Sequence, residues 1–199
     1  MNQKQIPTEV LKYQLREMEL KVAEESRSTF LTFVKKVWPE FVAGSHHKII
    51  AQKFEDISRG KIKRLIVNMP PRHTKSEFAS HLFPAWMLGQ KPKLKIIQTT
   101  HTAELSYNFG RKVRNLFDQQ EFKDVYPTVS LSQDSKAAGR FTTNAGGEYF
   151  AAGVGGAITG RGADLLIIDD PHSEQDALSQ TAMDNAYEWY TSGPRQRLQ

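Results

Sequence analysis

Lys75 and Ser76 follow a short apolar run and a Pro-Pro turn, and they precede a helical stripe of apolar residues. This is the position of a phosphate-binding loop, in which backbone N–H groups at a helix N-terminus receive phosphate oxygens. In such loops the lysine reaches the β- and γ-phosphates and the serine hydroxyl ligates Mg²⁺. The spacing is that of G-x-x-x-x-G-K-[ST], but Met69 and Thr74 replace both glycines. Taken alone, the segment is also explained by an ordinary capped helix.

Two adjacent carboxylates, Asp169 and Asp170, end a second apolar run at residues 165–168. In phosphoryl-transfer enzymes one such carboxylate orders the Mg²⁺ shell and the next activates water. Burying both is costly unless a metal ion or hydrogen-bond donors compensate their charge. A solvated loop that turns at Pro171 is the alternative for this segment alone. Because both motifs occur in this order, with a strand and a helix between them, together they favour a nucleotide site.

The spacing of apolar residues predicts the elements that position these groups. Three helices lead in, near residues 8–25, 28–38 and 47–59, and another helix covers much of residues 173–190. Two strand–loop–helix units follow the lead-in, with strands near residues 65–69 and 94–97, and residues 165–168 form a fully buried strand. Eight of the 13 glycines lie between Gly139 and Gly162, which predicts short antiparallel strands. Alternating strands and helices predict an α/β fold with a mainly parallel sheet.

Composition bounds the class of protein. The chain has 199 residues, 39% of them hydrophobic and 25% charged, which is typical of a globular domain with its own core. Absence of cysteine excludes disulfide scaffolds, thiolate metal sites and cysteine nucleophiles. The formal net charge of +5 is compatible with a phosphate-rich partner without deciding it. Since no apolar run approaches the length of a membrane-spanning helix, we expect no membrane partner.

Three segments together resemble the large terminase subunits of tailed bacteriophages, which are ATP-driven DNA-packaging motors. They are residues 64–77 (RLIVNMPPRHTKSE), 99–102 (TTHT) and 159–171 (TGRGADLLIIDDP), within a likeness that runs from residue 46 to 189. The resemblance implies a RecA-like, additional-strand P-loop NTPase core over residues 46–199, preceded by a helical segment over residues 1–45. It implies ATP and Mg²⁺ as cofactors and double-stranded DNA as the translocated substrate.

The resemblance also implies roles for individual residues. Lys75 and Asp170 are the expected catalytic groups, and Ser76 and Asp169 the expected Mg²⁺ ligands. The expected nucleotide-binding loop is Pro71, Arg72, His73, Thr74, Lys75 and Ser76. The chain departs from the family at Thr74, where glycine is usual, and at Asp170, where many members have glutamate. A Cβ at position 74 restricts a tight loop, and the shorter carboxylate must sit closer to its water.

Arg161 lies between two glycines, eight residues before Asp169. A trans-acting arginine finger needs an exposed guanidinium on a mobile loop, and this position suits one. A solvent-facing or carboxylate-paired arginine is an equal alternative, and Arg140 is the next candidate for the finger.

The terminase resemblance implies further partners. They are a homo-oligomeric ring of this chain, a portal protein and a small terminase subunit, met in the host cell cytoplasm at the portal vertex of the prohead. In that family a coupling segment and a ribonuclease H-type nuclease domain come later in the chain, so DNA cleavage is expected only beyond residue 199. Two other functions stay open: a helicase-like nucleic-acid ATPase, and a degenerate P-loop protein that binds DNA or a partner without turnover.

Overall fold

The computed structural model describes residues 8–158 and 160–198. Residues 1–7 of the predicted N-terminal segment and Thr159 of the segment 159–171 therefore lie outside the described residues. The chain divides into two compact units, Met1–Leu65 and Ile66–Gln199. The boundary predicted after residue 45 falls inside the first of these units. Within the described ranges, none of the helices combines the length and the apolar character needed to cross a membrane.

The first unit consists of three helices, as predicted: α1 (Thr8–Ser28), α2 (Phe30–Val37) and α3 (Ser45–Ser58). Phe30 and Phe54 are buried and pack edge to face, with ring centroids 5.3 Å apart. Glu55 accepts a hydrogen bond from the backbone N–H of Phe30 at 3.0 Å, which satisfies a donor that the first turn of α2 leaves open. Ser28 ends α1 and is not the N-cap of α2, because Thr29 occupies that position.

The second unit is built on a mixed five-stranded sheet with the strand order β2-β3-β4-β1-β5. Strand β1 runs parallel to both of its neighbours, β4 and β5, whereas β3 pairs antiparallel with β2 and β4. Four of the strands therefore run in one direction, and the chain is an α/β protein with a mostly parallel sheet. The strands are β1 (Lys95–Thr100), β2 (Leu131–Ala137), β3 (Arg140–Thr143), β4 (Glu148–Gly153) and β5 (Leu165–Ile168).

Helices cover both faces of this sheet. Helix α5 lies so close to one face that a Cβ on its Gly110 would lie 3.1 Å from the ring of Tyr149 in β4, and it would collide with the carbonyl of Ala138 in the β2–β3 turn. On the other face, Trp189 of α7 packs against a buried cluster that includes Ile97 and Ala152. The described helices of this unit are a π-helix (Glu77–Leu82), α4 (Phe83–Gln90), α5 (Ala103–Leu116), α6 (Gln120–Val125), α7 (Gln180–Ser192) and two short 3₁₀-helices (Asp176–Leu178 and Pro194–Arg197).

Two strand predictions are wrong. Residues 65–69 form no strand, although their exposure alternates as in a strand, and Ile66 is 85% exposed. Strand β5 has its predicted bounds but is not fully buried: Leu165 and Leu166 are half-buried and Ile168 is 36% exposed. Both outcomes have one cause, which is that residues 65–69 do not pair with β5. Among the described residues β5 pairs only with β1, so it is the exposed edge of the sheet. An apolar run becomes a buried strand only where a neighbour supplies hydrogen bonds.

Candidate functional site

The loop that precedes the π-helix has an unusual backbone. Arg72 and Thr74 have φ angles of +63° and +60°, in the left-handed region that glycine adopts most easily. The carbonyl of Thr74 accepts the first helical hydrogen bond, from Phe78 N at 2.9 Å. By helix geometry, the N–H groups of the first turn, which holds Lys75 and Ser76, have no partner within the helix. The sequence thus forms a tight loop that opens a helix, as a phosphate-binding loop does.

Hydrogen bonds within the loop stabilise this conformation. Nδ1 of His73 lies 2.9 Å from the carbonyl oxygen of Pro71, so the ring donates to the carbonyl. The hydroxyl of Thr74 donates to the carbonyl of His73 at 2.6 Å. Arg72 is exposed and makes no ion pair with any described residue, which leaves its guanidinium available to an anion.

The acidic pair is held in place by strand pairing that continues past the end of β5. Asp169 N donates to the carbonyl of Thr99 at 2.9 Å, and His101 N donates to the carbonyl of Asp170 at 3.2 Å. Asp169 is buried, and its Oδ2 accepts a hydrogen bond from Ser80 of the π-helix at 2.8 Å. Asp170, at φ +44°, turns the chain away from the sheet, and its side chain is 62% exposed.

Lys75 joins the loop to the acidic pair. Its ammonium hydrogen-bonds Oδ1 of Asp170 and lies 3.8 Å from Oδ1 of Asp169. Residues 95 positions apart in sequence thus meet where β5 ends and the loop begins the helix. One lysine faces two carboxylates, so these three side chains carry a net charge of −1. The structure brings together Lys75, Asp169 and Asp170, three of the residues that the sequence analysis singled out.

A second ion-pair cluster follows the loop. Oε2 of Glu77 lies 2.9 Å from Nδ1 of His81, and Oε1 of Glu77 pairs with Lys112 of α5. The hydrogen bond from His81, reinforced by Lys112 and opposed by burial, lowers the pKa of Glu77 to about 2. The cluster ties the first π-helical turn to α5, the helix that begins beside the end of β1.

Arg161 lies far from this constellation within the chain. Its guanidinium stacks 4.1 Å from the ring centroid of Phe150, and it pairs with Glu148. Glu148 also accepts a hydrogen bond from Arg140 at 2.8 Å. Glu148 begins β4, so both arginines lie where the strands start, about 17 Å along β1 from the acidic pair. The expected projecting side chain is therefore an ion-paired one, 26% exposed, in the isolated chain.

The donor set around Asp169 is suited to a hard cation. Carboxylate and hydroxyl oxygens are the ligands that Mg²⁺ prefers, and Mg²⁺ commonly takes one or two carboxylates while phosphates and water complete its shell. Asp169 supplies a buried carboxylate, and Ser76 lies in the first turn beside Lys75. Across residues 8–158 and 160–198, no cluster of three histidine or carboxylate side chains forms a metal site from protein ligands alone.

Ser80 is a residue of the site that the sequence analysis did not identify. It is fully buried in the π-helix and donates to Asp169. Its only sequence signal is its position four residues after Ser76, which would not separate it from any other helical serine. Single-turn π-helices are rare and frequently occur at functional sites.

The left-handed backbone of Thr74 predicts a stability difference between two truncations. Thr74→Gly and Thr74→Ala both remove the hydroxyl, but only alanine keeps a Cβ at φ +60°. We expect the glycine variant to be more stable by about 1 kcal/mol in urea unfolding, since strain of ~1–2 kcal/mol exceeds the entropy gained by the unfolded chain. Ser76→Gly and Ser76→Ala are the matched pair. Because φ at Ser76 is −69°, the alanine variant should be the more stable of these two. Equal stabilities at position 74 would contradict the assigned backbone.

The lowered pKa of Glu77 predicts how Glu77→Gln changes stability with pH. The folded pKa of about 2 lies below the unfolded value of 4.5, so ionised Glu77 stabilises the fold fully above pH 4.5. This contribution is lost as the pH falls towards 2. In urea unfolding, the variant should be less stable than the parent at pH 7, and the two should converge between pH 4.5 and 2. Glu104→Gln is the control, because Glu104 is an exposed glutamate of α5 with no ion pair in the described chain. A difference that persists at pH 2 is incompatible with this assignment.

No protein-family model matches the sequence, and no curated protein matches it either. Assignment of a function therefore depends on the residues of this chain: the left-handed loop, the lysine that closes it, and the two carboxylates that the lysine meets. These are the groups from which the function is argued.

Proposed function

We propose that this chain hydrolyses ATP at the Lys75 site and that the hydrolysis cycle moves double-stranded DNA, as in a phage packaging motor. The observation that carries the proposal is the convergence of Lys75 with Asp169 and Asp170. A lysine at the start of a helix and two carboxylates at the end of a neighbouring strand are the parts that a phosphoryl-transfer site needs. With this function we propose that the α/β fold is that of a RecA-like P-loop NTPase.

The loop supplies the contacts for the triphosphate. First-turn N–H groups and the ammonium of Lys75 receive phosphate oxygens, and exposed Arg72 adds a second positive charge. Asp169 and Ser76 would hold Mg²⁺, which when bound neutralises phosphate charge. Ser80 keeps the carboxylate of Asp169 oriented through its hydrogen bond to Oδ2.

Asp170 is the proposed base. Its carboxylate is exposed to solvent. It accepts a proton from the attacking water as the water oxygen bonds to the γ-phosphorus and the bond from the γ-phosphorus to the β,γ-bridging oxygen breaks. The products are ADP and phosphate. In the structure, the ammonium of Lys75 donates a hydrogen bond to the Asp170 carboxylate. The lysine must therefore leave Asp170 for the phosphates before this carboxylate can act, which couples substrate binding to activation of the base.

The DNA partner is proposed on the terminase resemblance and the net charge of +5. With it we propose the homo-oligomeric ring, the portal protein and the small terminase subunit as partners, and the portal vertex as the place of action. The helicase-like alternative would require a second RecA-like domain. The degenerate P-loop alternative is favoured by one observation, the non-glycine residue Thr74 in a left-handed conformation.

Hydrolysis by three variants separates these functions. Lys75→Ala should abolish ATP hydrolysis, because it removes the group that stabilises the transferring phosphoryl charge. Asp170→Asn should bind Mg²⁺-ATP like the parent but turn over at least a hundredfold more slowly, because it lacks the base. Exposed Glu174, on the same loop, gives the control Glu174→Gln, which should hydrolyse normally. Phosphate release, measured with and without double-stranded DNA, reports the rates. A parent that binds DNA but never hydrolyses ATP would support the degenerate alternative.

Mixed subunits test whether Arg161 acts across a subunit boundary. Arg161→Ala subunits keep the loop and Lys75→Ala subunits keep the arginine, so mixtures should regain part of the hydrolysis that neither has alone. Glu148→Gln is the matched control: it removes the partner of Arg161 but keeps the guanidinium, and should stay active. If Glu148→Gln and Arg161→Ala lose activity and stability alike, and mixtures stay inactive, the arginine serves the fold, and Arg140 becomes the next candidate.

A further inference from the structure

His101 lies directly opposite Asp170 in the sheet register. Thr99 pairs with Ile168 in the parallel β1–β5 ladder, so two positions later His101 stands beside Asp170. The backbone hydrogen bond from His101 N to Asp170 O, at 3.2 Å, confirms this juxtaposition. His101 is thus fixed to the backbone of the proposed base by the same ladder that positions the acidic pair.

The imidazole of His101 has an unmet hydrogen-bonding need. Its Nδ1 is buried and has no hydrogen-bond partner in the described part of the chain. Buried polar atoms are nearly always paired, and an unpaired one calls for an explanation such as a ligand or water that completes it. Nε2 of His172 is also buried and without a partner among the described residues. The terminal phosphate of a nucleotide held by Lys75 is an acceptor that this position would meet.

The surroundings of His101 are polar and carry negative charge. The pKa of Asp176 is lowered, first by hydrogen bonds from Ser173 and then by the imidazoles of His172 and His101. Asp176 and both imidazoles are therefore within electrostatic range of one another.

His172 is the less suitable of the two histidines. It lines an apolar groove of about 250 Å³ with Ile168, Pro171 and the aromatic side chains of α7, among them Tyr187 and Trp189. A phosphate would lose its hydration in that groove without gaining donors. His101 instead immediately precedes Thr102, the N-cap of α5, so the positive end of a second helix dipole lies beside it.

We propose that His101 is a γ-phosphate contact that lets the site distinguish ATP from ADP. The proposal rests on the proposed ATPase function and adds a residue to it. A donor placed beside the proposed base, directly after the strand β1 that pairs with β5, touches the terminal phosphate and has nothing to contact once that phosphate has left. Its contribution therefore belongs to the triphosphate state alone.

Equilibrium binding to the full chain tests this directly. The probes are ADP and the slowly hydrolysed analogue ATPγS, each with Mg²⁺, measured by calorimetry. His101→Ala should weaken ATPγS binding about tenfold, the value of one hydrogen bond to a charged acceptor, and leave ADP binding unchanged. His101→Gln, which retains a donor, should recover part of the loss. His172→Ala is the matched control and should keep the parental ratio of the two affinities.

The outcomes separate this proposal from the ATPase proposal. If the parent discriminates ATPγS from ADP and both His101 variants keep the same ratio, the His101 contact is overturned and the ATPase proposal stands. If the parent binds neither nucleotide, both proposals fail. Loss of both nucleotides in His101→Ala, with a lowered melting temperature, would assign the residue to the fold. His101→Leu, which fills the space without a donor, would then decide: an unchanged ratio of the two affinities, with normal melting, would show that the imidazole makes no contact with the γ-phosphate.

Discussion

The pairing of β5 with β1 is the constraint on which the candidate site depends. Its ladder continues beyond the last residue of β5, through Thr99 to Asp169 and through His101 to Asp170. The buried carboxylate of Asp169 needs partners. Ser80 and Lys75 provide them from the first turns of the helix that follows the loop at residues 71–74. The strand end and the loop therefore stabilise each other, and neither arrangement is expected without the other.

The sequence was sufficient for the groups whose position follows from local pattern. Lys75 and the acidic pair could be singled out because each follows an apolar run and lies at a polar turn. The role of Ser80 could not be predicted, because its hydrogen bond to Asp169 depends on the π-helical geometry of Glu77–Leu82. The failed strand near residue 66 shows the same limit: its local pattern is right, but strand formation depends on a neighbour that no local pattern specifies.

Arg161 shows a different limit of sequence reasoning. Flanking glycines predicted an exposed loop, yet Phe150 offers a ring face and Glu148 a carboxylate, and together they hold the guanidinium. Both partners lie on β4, within the same glycine-rich stretch as Arg161, and the return of the chain from the end of β4 to the start of β5 brings Arg161 back to them. For Arg161 to act in a neighbouring subunit, that neighbour must compensate for the loss of a stacked and charge-assisted contact. Transfer of the arginine would thus be favoured only when a negatively charged group is present across the boundary.

The resting ion pair of Lys75 determines what kind of ligand the site can accept. Two carboxylates and one lysine carry a net charge of −1, and drawing the lysine towards a phosphate leaves Asp169 and Asp170 uncompensated. Adjacent carboxylates that face a triphosphate repel it strongly in a partly buried site. On the proposed function, binding of a nucleotide without a metal ion is therefore disfavoured. A divalent cation bound with the nucleotide compensates the carboxylate charge that Lys75 no longer neutralises. Because Asp169 is buried and already oriented by Ser80, it is the carboxylate prepared for that cation, whereas exposed Asp170 is left free to meet water.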